Sequence, residues 1–271
     1  MFLNVRGDEF MINVVVNGAL GRMGSEVVRT VLKEKDMNLV GLADRNGSGK
    51  SILNNEGTKL EYYPSIEQVL DKVTADVVVD FTRPEVVMDN LKIVLKKKTI
   101  AVVGTTGFSE NDLKELDKLA KENDTGVLIA PNFAMGAILM MKVACEAAKY
   151  FPNVEILELH HDKKIDAPSG TAKLTAEKIA QVRSKELDNN RVNEIETLKG
   201  ARGANYDGIH IHSVRLPGFV ASQEIIFGSA GETLKIRNDS INRECYMPGV
   251  MLGCKKMIAV KGLVYGLDKL L

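Results

Sequence analysis

Cysteine is scarce in this sequence: Cys145, Cys245 and Cys254 are the only three among 271 residues. Their number is odd, and no two of them form a C-x-x-C pair. Such spacing argues against a disulfide framework and against a zinc site built from thiolates. We therefore expect a protein of a reducing compartment, and assign it to the cytoplasm.

An excess of charge of one sign and a long apolar run are also missing. Lysine plus arginine and aspartate plus glutamate both number 36, so the formal net charge is zero, which disfavours a nucleic-acid partner. No apolar run reaches the roughly 18 residues of a membrane span, so we expect no membrane partner. The segment Met1–Phe10 contains Arg6, Asp8 and Glu9 and lacks the apolar core of a signal peptide, and Met11 could be the natural start.

The first half of the chain alternates strand and helix patterns. A mass of 29.7 kDa allows one large α/β domain or two modest ones. Pro84 suits the first position of a helix running towards Lys97, and Ser109 with Asp112 resembles a capping box. Short apolar strands separated by such helices predict a parallel sheet covered on both faces. The predicted strands are Ile12–Val16, Asn38–Ala43, Val77–Phe81, Thr99–Val103 and Gly126–Ala130.

The pattern changes after about residue 131. A long apolar helix, Ala134 to Tyr150, precedes a strand from Val154 to His161 and a helix from Thr171, and Met140 and Met141 are expected in the core. Strands that follow one another without helices predict an antiparallel or mixed sheet. These strands are predicted at Ile209–Leu216, Gln223–Phe227 and Thr233–Arg237, after a polar stretch from Ser184 to Gly200 and before a helical pattern from Pro248 to Gly266.

A glycine-rich loop follows the first predicted strand and opens the first helix. Gly18, Gly21 and Gly24 give the spacing G-x-x-G-x-x-G, which suits close approach of a dinucleotide pyrophosphate to backbone N–H groups. Asp44, at the end of the next strand, could accept hydrogen bonds from a ribose, whereas the neighbouring Arg45 could pair with a 2′-phosphate. The loop predicts nucleotide binding and leaves NADH and NADPH open.

Two further loops lie at the carboxyl ends of predicted strands, at Phe81–Pro84 and Gly104–Gly107. Ligands of open α/β sheets collect at that edge, although ordinary β–α turns would give the same positions.

The densest polar cluster runs from His160 to Thr171 and leads from a strand into a helix. Its histidines could transfer protons near neutral pH, and Lys163 and Lys164 could bind carboxylates or donate a proton. The N–H groups of Gly170 and Thr171 would lie at a helix N-terminus, ready to hold a carboxylate. A polar loop with a capping Ser169 explains the same residues equally well.

His210 and His212 would share one face of a strand. A metal site that joins them to His160 and His161 lacks a carboxylate or thiolate at suitable spacing, so we expect no metal. Exposed or substrate-facing histidines are the preferred interpretation.

The order of these segments resembles the dihydrodipicolinate reductase family, from about Ile12 to the C-terminus. The segment from His160-His161 to Ser169-Gly170-Thr171 is much more specific than the glycine loop. The matching segments are Gly18 with Arg22-Met23-Gly24, Asp80 to Pro84, Gly104 to Phe108, Ala130 to Phe133, and His160 to Ala172.

The resemblance implies an NADH- or NADPH-dependent reduction of 4-hydroxy-tetrahydrodipicolinate to tetrahydrodipicolinate in lysine and diaminopimelate biosynthesis. It implies a Rossmann-type parallel-sheet domain at residues 1–131 with 243–271. A smaller α+β domain with a mixed open sheet, at residues 132–242, would bind the small-molecule substrate and build a homotetramer.

By the same resemblance, His160 and Lys164 are catalytic, and the substrate contacts are His161, Ser169, Gly170 and Thr171. The predicted cofactor contacts are Gly18, Ala19, Leu20, Gly21, Arg22, Met23, Asp44, Arg45, Phe81, Thr82, Gly104, Thr105, Thr106, Ala130, Pro131, Asn132 and Phe133.

The sequence departs from the family at Leu20, where some relatives have glycine, and around Arg215 to Glu224. The second departure bears on the substrate domain and its assembly and leaves His160 and Lys164 in place. Another two-domain dehydrogenase, a nicotinamide-sensing regulator and an inactive relative are the competing hypotheses. The regulator would need a nucleic-acid-binding element, which the sequence does not suggest.

Overall fold

The computed structural model describes residues 11–151, 153–183 and 195–271. They form two compact units. Unit 1 comprises the described residues of Met1–Phe133 and Tyr246–Leu271, and unit 2 those of Ala134–Cys245. The sequence-based divisions, at 131/132 and 242/243, lie slightly earlier in the chain.

Unit 1 contains an eight-stranded sheet in the order β13-β7-β6-β5-β1-β2-β4-β3. Neighbouring strands are parallel except for β3 and β4, which form an antiparallel edge. The central strands are buried along almost their whole length, as expected for a sheet covered on both faces. The strands are β1 Ile12–Asn17, β2 Met37–Ala43, β3 Ser51–Leu53, β4 Lys59–Tyr63, β5 Val77–Asp80, β6 Ile100–Val103, β7 Gly126–Ile129 and β13 Gly262–Tyr265.

The helices of unit 1 begin where the sequence supplies start signals. Pro84 opens α3, and Ser109 and Asp112 form the predicted capping box of α4. The apolar face of α1 is buried through Val27, Val28 and Val31. The helices are α1 Gly24–Val31, α2 Ile66–Leu70, α3 Pro84–Lys96, α4 Glu110–Glu122 and α7 Met247–Met257, and a short 3₁₀ helix lies at Leu267–Leu270. Another 3₁₀ helix, Arg243–Tyr246, begins in unit 2 and ends at the first residue of the second segment of unit 1.

The prediction of helix from Pro248 to Gly266 is wrong in its second part. The helix ends at Met257, and Gly262–Tyr265 is a strand parallel to β7. Gly262 has a φ of +78° and donates a hydrogen bond to the carbonyl of Thr125, so the chain turns there and joins the sheet. Pairing with β7 makes this segment a strand, and the local sequence pattern contains no information on that pairing. The short elements β3, β4 and α2 were not predicted either.

Unit 2 contains a five-stranded sheet in the order β12-β11-β8-β10-β9. Strand β8 pairs parallel with β10 and antiparallel with β11, which confirms the predicted mixed sheet. Its elements are α5 Met135–Ala147, β8 Asn153–His160, α6 Gly170–Val182, β9 Ala204–Tyr206, β10 Ile209–Arg215, β11 Ala221–Ser229 and β12 Glu232–Ser240. Most of the predicted polar stretch Ser184–Gly200, like Met1–Phe10, lies outside the described residues.

The expectation that Met140 and Met141 lie in the core is confirmed, since both are buried. All three cysteines are free thiols. Complete burial raises the pKa of Cys254 to about 12. Within the part of the chain that the structure describes, no helix could span a membrane, and no group of histidine, cysteine or carboxylate side chains could hold a metal ion.

Candidate active site

The predicted cofactor residues of unit 1 lie at one edge of its sheet. Each follows the carboxyl end of a strand, and because the strands are parallel these ends share one edge. The glycine loop follows β1 and Asp44-Arg45 follows β2. Phe81-Thr82, Gly104–Thr106 and Ala130–Phe133 follow β5, β6 and β7.

The glycine loop leaves no room for side chains at two positions. Gly18 has a φ of +78°, and a Cβ atom there would lie 2.7 Å from the carbonyl oxygen of Phe81. A Cβ atom on Gly24 would lie 2.0 Å from the carbonyl oxygen of Gly18. The glycines therefore allow the chain to fold tightly between β1 and α1.

The start of α1 offers unused hydrogen-bond donors. The N–H groups of Gly18 and Ala19 both donate to the carbonyl of Ala43, which fixes the beginning of the loop. The N–H groups of Arg22, Met23 and Gly24 donate to no described residue, and no side chain caps the helix. An uncapped helix N-terminus beside an exposed Arg22 fits the pyrophosphate of a dinucleotide.

Asp44 is anchored to the loop. Its Oδ2 accepts from the N–H of Leu20 at 3.0 Å, and its Oδ1 accepts from the N–H of Asn46 at 2.9 Å. Each carboxylate oxygen can accept a further bond, so a ribose hydroxyl can still be bound. Arg45 is exposed and could meet a 2′-phosphate, so these two residues together allow either NADH or NADPH.

Asp80 organises the loop after β5. This buried side chain accepts hydrogen bonds from Asn17 Nδ2 at 2.7 Å, Thr82 Oγ1 at 2.6 Å and Asn90 Nδ2 at 3.2 Å. Burial raises the pKa of the Asp80 carboxyl, and these bonds oppose that rise. The site residues predicted from sequence do not include Asp80, Asn17 or Asn90, although a charged residue at the end of an apolar strand was the available signal for Asp80.

Aromatic rings and one hydroxyl complete the edge. A Cβ atom on Gly104 would lie 1.9 Å from the ring of Phe81, whose centroid lies 5.9 Å from that of Phe133. The hydroxyl of Thr105 is buried and has no described partner. Thr106 and Pro131 are exposed, Ala130 is buried and Asn132 is half-buried. A buried hydroxyl without a partner beside tight glycines fits a bound polar ring.

In unit 2, His160 lies at the end of β8 and its Nδ1 contacts Glu158 Oε2. Glu158 is fully buried and binds Arg215 through both oxygens, at 2.9 and 2.7 Å. Burial raises the pKa of Glu158, but hydrogen bonds from Arg215, Ser213 and His160 outweigh it and keep the pKa low. Burial lowers the pKa of His160, Glu158 raises it, and Lys164 and Arg215 lower it, so the net shift is downward.

Lys164 and Ser169 lie in the loop between β8 and α6. Lys164 Nζ donates to Asp166 Oδ1 at 2.6 Å, and the Asp166 carbonyl accepts from Arg215 at 2.8 Å. Ser169 caps α6, and its N–H donates to Glu158. The N–H groups of Gly170 and Thr171 donate to no described residue, so they are open to a carboxylate.

The structure thus connects His160, Lys164 and Ser169 through two residues that the sequence analysis missed as site residues, Glu158 and Arg215. His161 is exposed nearby in the chain. The signal for Glu158 was the period-2 pattern of β8, which gives Glu158 and His160 one face. The sequence contains no signal for Arg215, because Arg215 reaches Glu158 through the parallel pairing of β10 with β8, which local patterns do not reveal.

His210 and His212 are half-buried and bonded within unit 2. His210 Nδ1 contacts the carbonyl of Arg202 at 2.7 Å, and His212 Nε2 contacts Glu155 Oε2 at 2.8 Å. They form no metal site in the described part of the chain.

Family models match almost the whole sequence. The N-terminal model of dihydrodipicolinate reductase matches residues 12–133, and the C-terminal model matches residues 136–271.

Curated relatives and a solved structure agree with the models. A 4-hydroxy-tetrahydrodipicolinate reductase of Desulfitobacterium hafniense is 51% identical over 264 residues, covering 96% of this chain and 98% of the relative. One from Listeria innocua is 48% identical over 263 residues, covering 96% and 100%. A dipicolinate-bound dihydrodipicolinate reductase from Paenisporosarcina sp. TG-14 superposes with a TM-score of 0.87 at 44% identity, covering 97% of this chain and 100% of that one.

Proposed function

The chain belongs to the dihydrodipicolinate reductase family, and from this premise we propose that it reduces 4-hydroxy-tetrahydrodipicolinate to tetrahydrodipicolinate in lysine and diaminopimelate biosynthesis. The reaction adds one hydride and one proton to the ring dicarboxylate and releases its 4-hydroxyl as water. The observation that carries the proposal is the His160–Glu158–Arg215 arrangement beside Lys164 and an open helix N-terminus.

Unit 1 is the dinucleotide-binding unit in this proposal. Bound NADH or NADPH would supply the hydride to C4 of the ring. The open N–H groups at Arg22 to Gly24 hold the pyrophosphate, and Asp44 with Arg45 meets the adenosine ribose. Glycine loops and uncapped helix starts bind phosphates because they present N–H dipoles without steric obstruction. Residues at the ends of β5, β6 and β7 hold the nicotinamide end.

Unit 2 is the substrate-binding unit. The open N–H groups of Gly170 and Thr171, with Ser169 and His161, hold a carboxylate of the substrate. Addition of hydride moves negative charge onto the ring, and an acid must supply a proton. Lys164, whose ammonium is held by Asp166, and His160 are the proton-transfer groups. Fixed donors of this kind lower the barrier through positioning and charge stabilisation.

The proposal includes two features of the whole protein. The chain assembles into a homotetramer through the sheet of unit 2, and it works in the cytoplasm. The departures at Leu20 and at Arg215–Glu224 leave the proton-transfer groups in place. Within the departing segment, Arg215 contacts Glu158 directly, so this stretch contributes to the site.

A coupled assay tests the reaction. Aspartate semialdehyde and pyruvate are condensed by the upstream synthase, and oxidation of NADH or NADPH is followed by absorbance after this protein is added. We expect cofactor oxidation that requires this protein, the synthase and both of the synthase's substrates. A panel of amino acids and sugars, assayed with the oxidised cofactors, examines the competing dehydrogenase hypothesis. No oxidation above background in the coupled assay would reject the proposed function.

A further inference from the structure

Glu158 is bonded to three residues through its two carboxylate oxygens. Arg215 donates to both of its oxygens, the N–H of Ser169 donates to Oε1 at 3.2 Å, and His160 Nδ1 contacts Oε2. None of its side-chain surface is exposed. A carboxylate that accepts from a bidentate arginine and from a backbone N–H remains ionised in the folded protein.

An ionised carboxylate can only accept hydrogen bonds, and this determines which nitrogen of His160 carries the proton. Nδ1 must be the donor to Glu158, so in the neutral ring Nε2 is unprotonated. Nε2 forms no hydrogen bond to any residue in the described ranges. The side chain of His160 keeps 14% of its surface exposed. Nε2 is therefore the nitrogen left for a ligand.

The sheet holds this arrangement in place. Glu158 and His160 are two residues apart on β8 and share one face, and Arg215 pairs opposite His160 on β10. Arg215 also donates to the carbonyl of Asp166, whose carboxylate holds Lys164. One arginine therefore connects the carboxylate that contacts His160 with the loop that carries Lys164.

We propose that Glu158, held by Arg215, is a positioning residue that fixes His160 as the Nδ1–H tautomer and leaves Nε2 to exchange the proton of the reaction. The inference rests on the proposed reductase function for its catalytic part. A carboxylate that only supported the fold would fix the same tautomer but would not be needed for turnover, so the second test below measures kcat.

The first test uses the wild-type protein and needs no substitution. Nitrogen-15 NMR of histidine-labelled protein at pH 8 reports the tautomer of each of the four histidines, with the signal of His160 assigned from the His160→Asn variant. We expect His160 to be the Nδ1–H form. An Nε2–H form, or a mixture of the two, would overturn the inference even if the protein is an active reductase.

The second test is Glu158→Gln. The amide of glutamine can donate to Nδ1, so we expect the Nε2–H tautomer and a decrease in kcat of about 10²–10⁴-fold, as for a lost acid–base group. The inflection assigned to His160 in the pH profile should move to lower pH, because Glu158 raises the pKa of His160 while Lys164 and Arg215 lower it. Unchanged kcat and an unchanged inflection would contradict the inference.

Two further variants keep the test decisive. Glu155→Gln removes a carboxylate of the same strand that contacts another histidine, and it should leave the His160 signal unchanged. If Glu158→Gln folds poorly because Arg215 is left unpaired, Glu158→Gln with Arg215→Met removes that charge and should still change the tautomer. Failure of the wild-type protein to oxidise either cofactor would count against the proposed function, whereas the tautomer result would stand separately.

Discussion

Two glutamate–arginine–histidine clusters of unit 2 are built around glutamates of the same strand, β8. We call Glu158, Arg215 and His160 the buried cluster, and Glu155, Arg202 and His212 the open cluster. In the buried cluster Glu158 has no exposed side-chain surface and Arg215 has 19%. In the open cluster Glu155 and Arg202 are each 36% exposed, and Arg202 Nη2 lies 2.5 Å from Glu155 Oε1.

The two clusters contain the same residue types but differ in the exposure of their side chains. Both carboxylates have lowered pKa values: burial raises them, and the hydrogen bonds from arginine and histidine outweigh burial. Water can replace the partners of Glu155, so its geometry is weakly fixed. Glu158 has no such replacement, and removal of one partner leaves a buried charge. We therefore expect the buried cluster to fix the tautomer of its histidine more firmly than the open cluster does.

Replacement of the two histidines should give the largest contrast. His160→Ala should lower turnover by about 10²–10⁴-fold because a proton-transfer group is lost, and Lys164→Ala should have an effect of the same size. His212→Ala should change turnover by about twofold at most, because His212 is outside the candidate site and substitutions away from such features usually change stability by no more than about 0.5 kcal/mol. Steady-state rates in the coupled assay, at matched oligomeric state, measure the contrast. Near-wild-type turnover of both His160→Ala and Lys164→Ala would reject their roles.

Replacement of the two arginines should separate the clusters by stability. Arg215→Met leaves the Glu158 charge buried and should lower the free energy of unfolding by about 3–5 kcal/mol. Arg202→Met removes an ion pair that water can replace, which should cost about 0–1 kcal/mol. Urea unfolding of the two variants beside the wild type gives the difference. Equal losses would mean that burial does not distinguish the clusters.

Between pH 5.5 and 8, the pH dependence of stability should come from His160, which is half-buried. The folded-state pKa of His160 is lowered, chiefly by burial, so the unfolded chain binds a proton first as pH falls below about 6.5. The contribution of His160 to the free energy of unfolding should therefore be fully present above that pH. It should decrease as the pH falls towards the folded-state pKa, by no more than about 1.4 kcal/mol per pH unit for one proton. Melting temperatures from pH 5.5 to 8 test this. The His160→Asn variant should lose this slope, and an unaltered slope would assign it elsewhere.

A buried hydroxyl without a partner extends the comparison to unit 1. Thr105 Oγ1 has no partner within the described residues, in contrast to the fully bonded Glu158. Thr105→Val should leave stability equal or slightly higher and should weaken cofactor binding by about 0.5–1.5 kcal/mol, the usual net value of one hydrogen bond. Calorimetric titration with NADH and NADPH measures the effect. Unchanged affinity for both would remove Thr105 from the cofactor site.

Much of the fold follows from local pattern. Buried runs such as Val77–Asp80, the capping box at Ser109 and the proline start of α3 identify the parallel sheet and its helices. Strand β13 was missed because its place depends on pairing with β7, more than a hundred residues earlier in the chain. Sequence periodicity reports one face of an element and gives no information on such distant pairing.

The candidate site divides in the same way. The glycine loop and the segment from His160 to Thr171 are contiguous, so their residues could be named from sequence. Glu158 needed its burial to be known, and Arg215 needed the parallel pairing of β10 with β8. The same polar residue types occur in the open cluster, where the glutamate and arginine side chains are more exposed.

The most direct measurement compares Glu158→Gln with Glu155→Gln in the coupled assay at matched oligomeric state. The account predicts a kcat lowered by about 10²–10⁴-fold in Glu158→Gln, and a kcat within about twofold of the wild type in Glu155→Gln. Equal rates in the two variants would contradict the claim that the buried cluster, and not the open one, serves the reduction.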